Sequence, residues 1–208
     1  MLREKNLSFK RQRQERRIYI VTGTPGVGKS SVSKILASIL GARLVSIGEL
    51  VKKESLYTGW DEKRETLIAD TDRLSERISE IISAERRTMI IEGHYAVHVI
   101  PPEKVDLIFI LRRDPRELKK TLEDRGYSRR KIMENLAAEI LDVCLFDAVD
   151  VCGVEKLCEI NTTSKSPREV VNEILSVIKG ERKPVVGIVD WLGMLESEGI
   201  LDDYLKEF

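Results

Sequence analysis

Residues 17–31 read RIYIVTGTPGVGKSS, and the fold follows from how this stretch is read. Ile18, Tyr19, Ile20 and Val21 form a short apolar, β-branched run of the kind found in buried parallel strands. The run empties into Gly23-Thr24-Pro25-Gly26-Val27-Gly28-Lys29-Ser30, which fits G-x-x-x-x-G-K-[ST] at every fixed position. Val32, Ile35, Leu36 and Ile39 follow at helical spacing. At average residue usage such a pattern arises by chance in about one chain in a hundred of this length, and the correct flanks make coincidence rarer still. The chemistry is that of a polyphosphate cradle. Glycines let the backbone curl and approach phosphates with no side chain between. Loop N–H groups and the helix N-terminus then aim positive dipole at the ligand. Lys29 is placed to reach the β- and γ-oxygens, and the Ser30 hydroxyl to ligate Mg²⁺. The loop implies binding of a nucleoside triphosphate.

Outward from the loop, 208 residues suit one domain with a short appendage, and 42% hydrophobic with 34% charged residues suits a soluble globular chain. Charge is balanced overall, at 35 Lys/Arg against 35 Asp/Glu, but not locally. Residues 1–17 carry seven Lys/Arg against Glu4 and Glu15, a balance of +5 that leaves −5 on the remainder. This N-terminal extension (residues 1–16) is expected to be flexible, and either contacts RNA or another polyanion or is simply solvated. No run of about 18 apolar residues exists, so a membrane span is not expected. Cys144, Cys152 and Cys158 lack C-x-x-C spacing and read as small hydrophobes of a reducing compartment, which points to a cytoplasmic protein. His94 and His98 have no third ligand beside them, which argues against zinc.

Four further strands are expected at residues 43–47, 88–92, 105–111 and 157–161. The alternation of strands and helices predicts an α/β domain, a parallel sheet with helices on both faces and the ligand at the strands' carboxyl ends. From Gly48 to about Glu85 the composition reads as one charged helical region. The strand at residues 88–92 ends on Glu92, where a carboxylate beside the loop organises the Mg²⁺ shell, and His94 follows two residues later. His94 either positions a water or an acceptor or hydrogen-bonds a neighbouring loop. Arg125, Arg129, Arg130 and Lys131 crowd around Gly126 and Tyr127, which suits a short lid over phosphate because planar guanidinium groups bind two oxygens at once. A helix then carries Ile132, Leu136, Ile140 and Cys144 as one apolar side. Pro167 starts the last helix of the domain. Residues 181–208 form an acidic, amphipathic tail expected to pack back on the domain or bind a partner.

The ordered set GTPGVGKSS, IGELVKKESLYTGWDE, EGH, RGYSRRKIMENLAAEI and SKSP resembles one family. It is the nuclear-type adenylate kinases that double as ribosome-assembly ATPases (coilin-interacting nuclear ATPase-like proteins), which have archaeal counterparts. The resemblance spans residues 17–179. It implies a P-loop nucleoside monophosphate kinase fold with a five-stranded parallel sheet, over a kinase domain at residues 17–180. The implied activity is Mg·ATP plus AMP giving two ADP, with slow ATP hydrolysis and docking to a small-subunit ribosomal protein during rRNA maturation. On this footing Gly26, Val27, Gly28, Lys29, Ser30 and Ser31 hold the ATP phosphates, Arg125 contacts ATP from a lid at residues 124–134, and Lys165 lies near the adenine. Residues 46–69 form the arm for the acceptor, with Ser46 and Lys52 binding it. Glu92 stands where the family usually has Asp, and Lys52 where an arginine commonly faces the acceptor phosphate. A lysine is a point charge rather than a fork, which weakens selectivity for that phosphate. Two other readings remain: an ATP-switched assembly factor in which hydrolysis is the relevant activity, and a kinase acting on another monophosphate or a small alcohol.

Overall fold

Alternation along the first strand sets the layers. In β1 (Ile18–Thr22) every residue is buried, so both faces of the strand are covered. Ile18 and Ile20 face one apolar cluster with Met89, Ile91, Ile108 and Ile110, whereas Tyr19 and Val21 face another with Ile90, Phe109 and Leu111. The computed structural model describes residues 16–205, so nearly all of the basic extension lies outside the described residues.

From β1 the chain passes through the glycine loop into α1 (Lys29–Leu40), β2 (Arg43–Ser46) and α2 (Ile47–Lys53). A hairpin of β3 (Tyr57–Asp61) and β4 (Thr66–Ala69) precedes α3 (Thr71–Ala84), β5 (Met89–Glu92) and α4 (Ala96–Val99). Next come β6 (Leu107–Arg112), α5 (Pro115–Asp124), α6 (Arg129–Ile140), α7 (Val143–Cys152) and β7 (Leu157–Asn161). The chain closes with α8 (Pro167–Ile178), α9 (Trp191–Ser197) and α10 (Asp202–Leu205). Five parallel strands lie in the order β2-β5-β1-β6-β7. Strand β1 is central, with β5 and β2 on one side and β6 and β7 on the other, so its carboxyl end opens onto the crevice where such sheets bind ligands.

One face is covered by α2, α3, α4 and α7, the other by α1, α5, α6, α8 and the two tail helices. Helix α8 begins with Pro167 at its first turn behind a capping box, in which Ser166 and Glu169 satisfy each other's backbone N–H groups. Residues 185–188 run along the outer edge of β7, where the Glu159 N–H donates to the Val185 carbonyl at 2.8 Å. The tail thereby covers a sheet edge that is otherwise open to pairing. Trp191, Leu195 and Tyr204 bury themselves in the second cluster.

Two expectations are corrected. The charged stretch after Gly48 is not all helix: residues 57–69 form a two-stranded antiparallel sheet of their own. Its turn closes with Glu65 in the left-handed region (φ 49°) and the Arg64 N–H donating to Asp61 Oδ1 at 3.0 Å. The helix after the lid does not continue to Cys144. It stops at Ile140, and Asp142 takes φ 57° before α7 begins. The break is forced by burial on opposite sides of the sheet. Residues Leu136 and Ile140 of α6 belong to one cluster and Ala148 of α7 to the other, which one straight helix cannot serve.

Phe109 is wholly buried in β6 and edge-on to Tyr19, with ring centroids 6.3 Å apart. Phe109→Ala is expected to lower unfolding stability by about 3–5 kcal/mol. Urea denaturation checks this, and a loss below about 1 kcal/mol contradicts the packing described.

Candidate active site

The loop after β1 bends because its glycines allow it. At Gly23 (φ 134°) an added Cβ would lie 2.4 Å from the Leu111 carbonyl oxygen, so β6 passes too close for any side chain. Gly28 takes φ 104° at the start of α1, a conformation that L-residues rarely adopt. The Lys29 ammonium curls over the loop and donates to the Gly23 carbonyl at 2.7 Å and the Thr24 carbonyl at 2.9 Å. Burial pulls its pKa below the ordinary lysine value, and the nearby carboxylates of Glu92 and Glu139 work against that.

Strand β5 delivers Glu92, buried at its tip, and the Ser30 hydroxyl donates to Glu92 Oε1 at 3.3 Å. Two hard oxygen donors, one from each wall, thus meet beside the loop. His94 follows, anchored where the Thr22 hydroxyl donates to its carbonyl at 3.1 Å and with its ring edge-on to Tyr95. The His94 ring is partly open to the cleft, yet the surrounding walls and the Lys29 ammonium push its pKa down to about 4. Water on the open side tempers the size of that displacement, and its direction leaves a neutral imidazole at pH 7.

Two chambers with shared walls flank the loop. The smaller, about 230 Å³, is lined by Gly26, Val27, Gly28, Ser31, Arg125 and Lys165, with Arg113, Thr162 and Pro167 as further walls. The larger, about 430 Å³, takes in Lys29, Ser30, Ser46, Lys52, Glu92 and His94, with Thr66, Tyr127 and Lys131 opposite. Arg125, Gly26, Gly28 and Ser31 border both. Every residue expected to hold ATP, the acceptor or Mg²⁺ therefore lines one chamber or the other, whereas Arg129 and Arg130 of the basic cluster line neither. A bigger hollow, about 630 Å³, lies between α5, α6 and α10, but it shares none of the loop's residues.

The hairpin closes the larger chamber. At its tip Glu65 accepts from Ser128 Oγ at 3.2 Å through its carboxylate and from Lys131 Nζ at 3.1 Å through its carbonyl, so residues 57–69 touch the start of α6. Lys131 also sits over the Tyr127 ring, 4.8 Å from its centroid. Lys165 is held by Glu173 at 2.5 Å.

Sequence reasoning did not single out Arg113 in the smaller chamber or Thr66 and Glu49 in the larger. Arg113 follows directly on buried Arg112, and its guanidinium reaches the Gly26 carbonyl at 3.5 Å and Glu117 at 3.2 Å. Two adjacent arginines at the end of an apolar strand were the available signal. Thr66 enters only because the chain turns back at the hairpin.

A phosphate-binding loop at the end of a central parallel strand, with an acid at the neighbouring tip and a basic closure above, defines a P-loop kinase fold. Solved structures agree. The shikimate kinase of Acinetobacter baumannii in complex with shikimate superposes with a TM-score of 0.56 at 16% identity, covering 82% of this chain and 97% of that one. The thymidylate kinase of Candida albicans gives 0.52 at 15% identity, covering 80% and 92%. The AAA domain family matches residues 20–142. A protein of Methanocaldococcus jannaschii named "Putative adenylate kinase" is 42% identical over 82% of this chain and 90% of its own length. A protein of the same name in Thermococcus onnurineus is 41% identical over 84% and 91%. The chain belongs to this archaeal family.

With a folded pKa below its unfolded value, His94 is expected to stay neutral as pH falls through 6.5 and to gain its proton only as pH approaches about 4. An NMR titration of its ring resonances tests this, and a midpoint at 6.5 or above contradicts the described surroundings.

Proposed function

We propose that the protein is an adenylate kinase that moves the γ-phosphoryl group of Mg·ATP onto AMP to give two ADP. The observation that carries this reading is the paired cleft: two chambers meeting at the loop and Arg125, with cationic side chains in both. ATP lies with its phosphates along the loop and its adenine toward Thr162, Lys165 and Pro167. AMP lies between α2 and the hairpin, with Ser46 and Lys52 beside it. Residues 46–69 then serve as the acceptor arm and residues 124–134 as the lid.

An AMP phosphate oxygen attacks the γ-phosphorus in line as the bond to the β,γ-bridging oxygen breaks, with no covalent enzyme intermediate. Lys29, Arg125 and Lys131 neutralise oxygens where charge is spread in the transition state, and closure of hairpin on lid excludes water. The Ser30 hydroxyl and Glu92 carboxylate are hard oxygen ligands that would suit Mg²⁺. An ion held by Ser30 and Glu92 would supply charge neutralisation to the transferred phosphoryl group. The neutral His94 imidazole accepts a hydrogen bond from a water or from the acceptor. In the second reading, an ATPase acting in small-subunit maturation, His94 holds the attacking water. Docking to a small-subunit ribosomal protein rests on the resemblance, and rRNA contact on the basic extension, most of which lies outside the described residues.

ADP formation from Mg·ATP, followed with and without AMP, tests the proposal. Strong stimulation by AMP, at two ADP per ATP consumed, is expected. ADP formed equally without AMP, with free phosphate, would favour the ATP-switched assembly factor instead. Lys29→Ala is expected to lower kcat/KM about a thousandfold. Lys52→Ala is expected to raise KM for AMP about tenfold and to leave KM for ATP within twofold. A matching rise for ATP counts against Lys52 as an acceptor ligand.

A further inference from the structure

Glu139 of α6 is 1% exposed and joins parts of the chain that are distant in sequence. Its Oε2 accepts from the Thr24 hydroxyl at 2.6 Å, inside the glycine loop. Its Oε1 accepts from Arg112 Nε at 2.9 Å, from the Arg113 N–H at 3.0 Å and from Trp191 Nε1 at 3.2 Å. The same Thr24 holds Lys29 through its carbonyl. A short relay therefore runs from Trp191 in the tail, through Glu139, to Thr24 and the lysine of the loop.

The charges explain why the tail is needed in that relay. Arg112 is one buried guanidinium between two buried carboxylates, Glu139 and Glu159, with half-buried Asp142 also on it. Negative charge exceeds positive there, and buried carboxylate oxygens are tolerated only when N–H or O–H donors satisfy them. The tail supplies three of those donors. Besides Trp191 Nε1 on Glu139, the Gly187 and Ile188 N–H groups donate to Glu159 Oε2 at 2.5 and 3.0 Å. The loop supplies another, the Thr24 hydroxyl.

We propose that the tail from Val185 to Trp191 is a positioning strap for the phosphate-binding loop, acting through Glu139 on Thr24 and so on Lys29. The inference rests on the ATP-binding part of the proposed function and not on the identity of the acceptor. Trp191 and Glu139 touch no substrate; they act through Thr24. Coupling is reciprocal, so what the strap does for ATP, ATP must do for the strap.

Two measurements on the full chain test this. Trp191→Phe keeps a buried aromatic ring but removes the N–H donor. Its Kd for Mg·ATP is expected to rise about fivefold or more, the lower end of measured site-to-site couplings, with KM for AMP unchanged. The chain has two tryptophans, and Trp60 is 56% exposed on the hairpin, so Trp60→Phe leaves Trp191 as the sole tryptophan reporter. Adding Mg·ATP to that variant is expected to shift the Trp191 emission, with the shift saturating at the same Kd. An unmoved Trp191 spectrum at saturating ATP overturns the proposal, even where Trp191→Phe fails to fold. A Trp191→Phe protein that loses melting temperature but keeps its ATP Kd within twofold overturns it as well, because the strap then only stabilises. Both readouts use ATP alone, so absence of AMP phosphorylation would overturn the kinase reading and leave this test intact.

Discussion

One buried guanidinium constrains much of the molecule. Arg112 ends the most apolar strand of the sheet at 2% exposure, and its charge is taken up by Glu139 of α6, Glu159 of β7 and Asp142 at the α6–α7 break. Burial works against its charge, and the carboxylates outweigh it, holding its pKa above the ordinary arginine value. A buried ion pair gains little net stability over apolar packing, but losing one partner leaves an uncompensated charge and costs about 3–5 kcal/mol. The cluster therefore acts less as glue than as a condition on geometry. Helix α6, strand β7, the turn before α7, the tail and the glycine loop must each present a specific atom at one place.

That condition connects fold to chemistry. The loop's position follows first from β1 at the centre of the sheet and from the close pass of Leu111 over Gly23. It follows next from Thr24, whose hydroxyl is fixed on Glu139 and whose carbonyl receives Lys29. Preorganised donors cost no rearrangement at the moment of reaction, which is why electrostatic stabilisation dominates phosphoryl transfer. The second chamber is closed by separate means. Its walls are α2 and the hairpin, and its closure is the contact of Glu65 with Ser128 and Lys131.

Local motifs were legible in the sequence; long-range pairings were not. Residues 17–31 announced strand, loop and helix because the steric and dipolar needs of a phosphate cradle are met by consecutive residues. The five parallel strands were readable because each is a short apolar run. The hairpin was not, since Glu62, Lys63, Arg64 and Glu65 look helical in composition, and the signal that mattered was Tyr57, Thr58 and Trp60 on one side with Thr66 and Ile68 on the other. The break at Asp142 was hidden because Cys144 continues the apolar spacing of Ile132, Leu136 and Ile140, while the sheet asks the two helices to cover opposite faces. Glu139 was legible only in hindsight, as a carboxylate three residues after Leu136 on the apolar side of α6. Its partners lie 27 residues away at Arg112, 52 at Trp191 and 115 at Thr24, separations that no local pattern reports.

The proposed kinase would hold two adenine nucleotides end to end across the loop, one in each chamber. Titration calorimetry with a dinucleotide in which two adenosines are joined by five phosphates tests it most directly. One molecule is expected to bind per chain, at least about a hundredfold more tightly than ATP, with Lys52→Ala removing much of that advantage, because one ligand then fills both chambers without a second loss of translational freedom. Binding no tighter than ATP, or insensitive to Lys52, would contradict it.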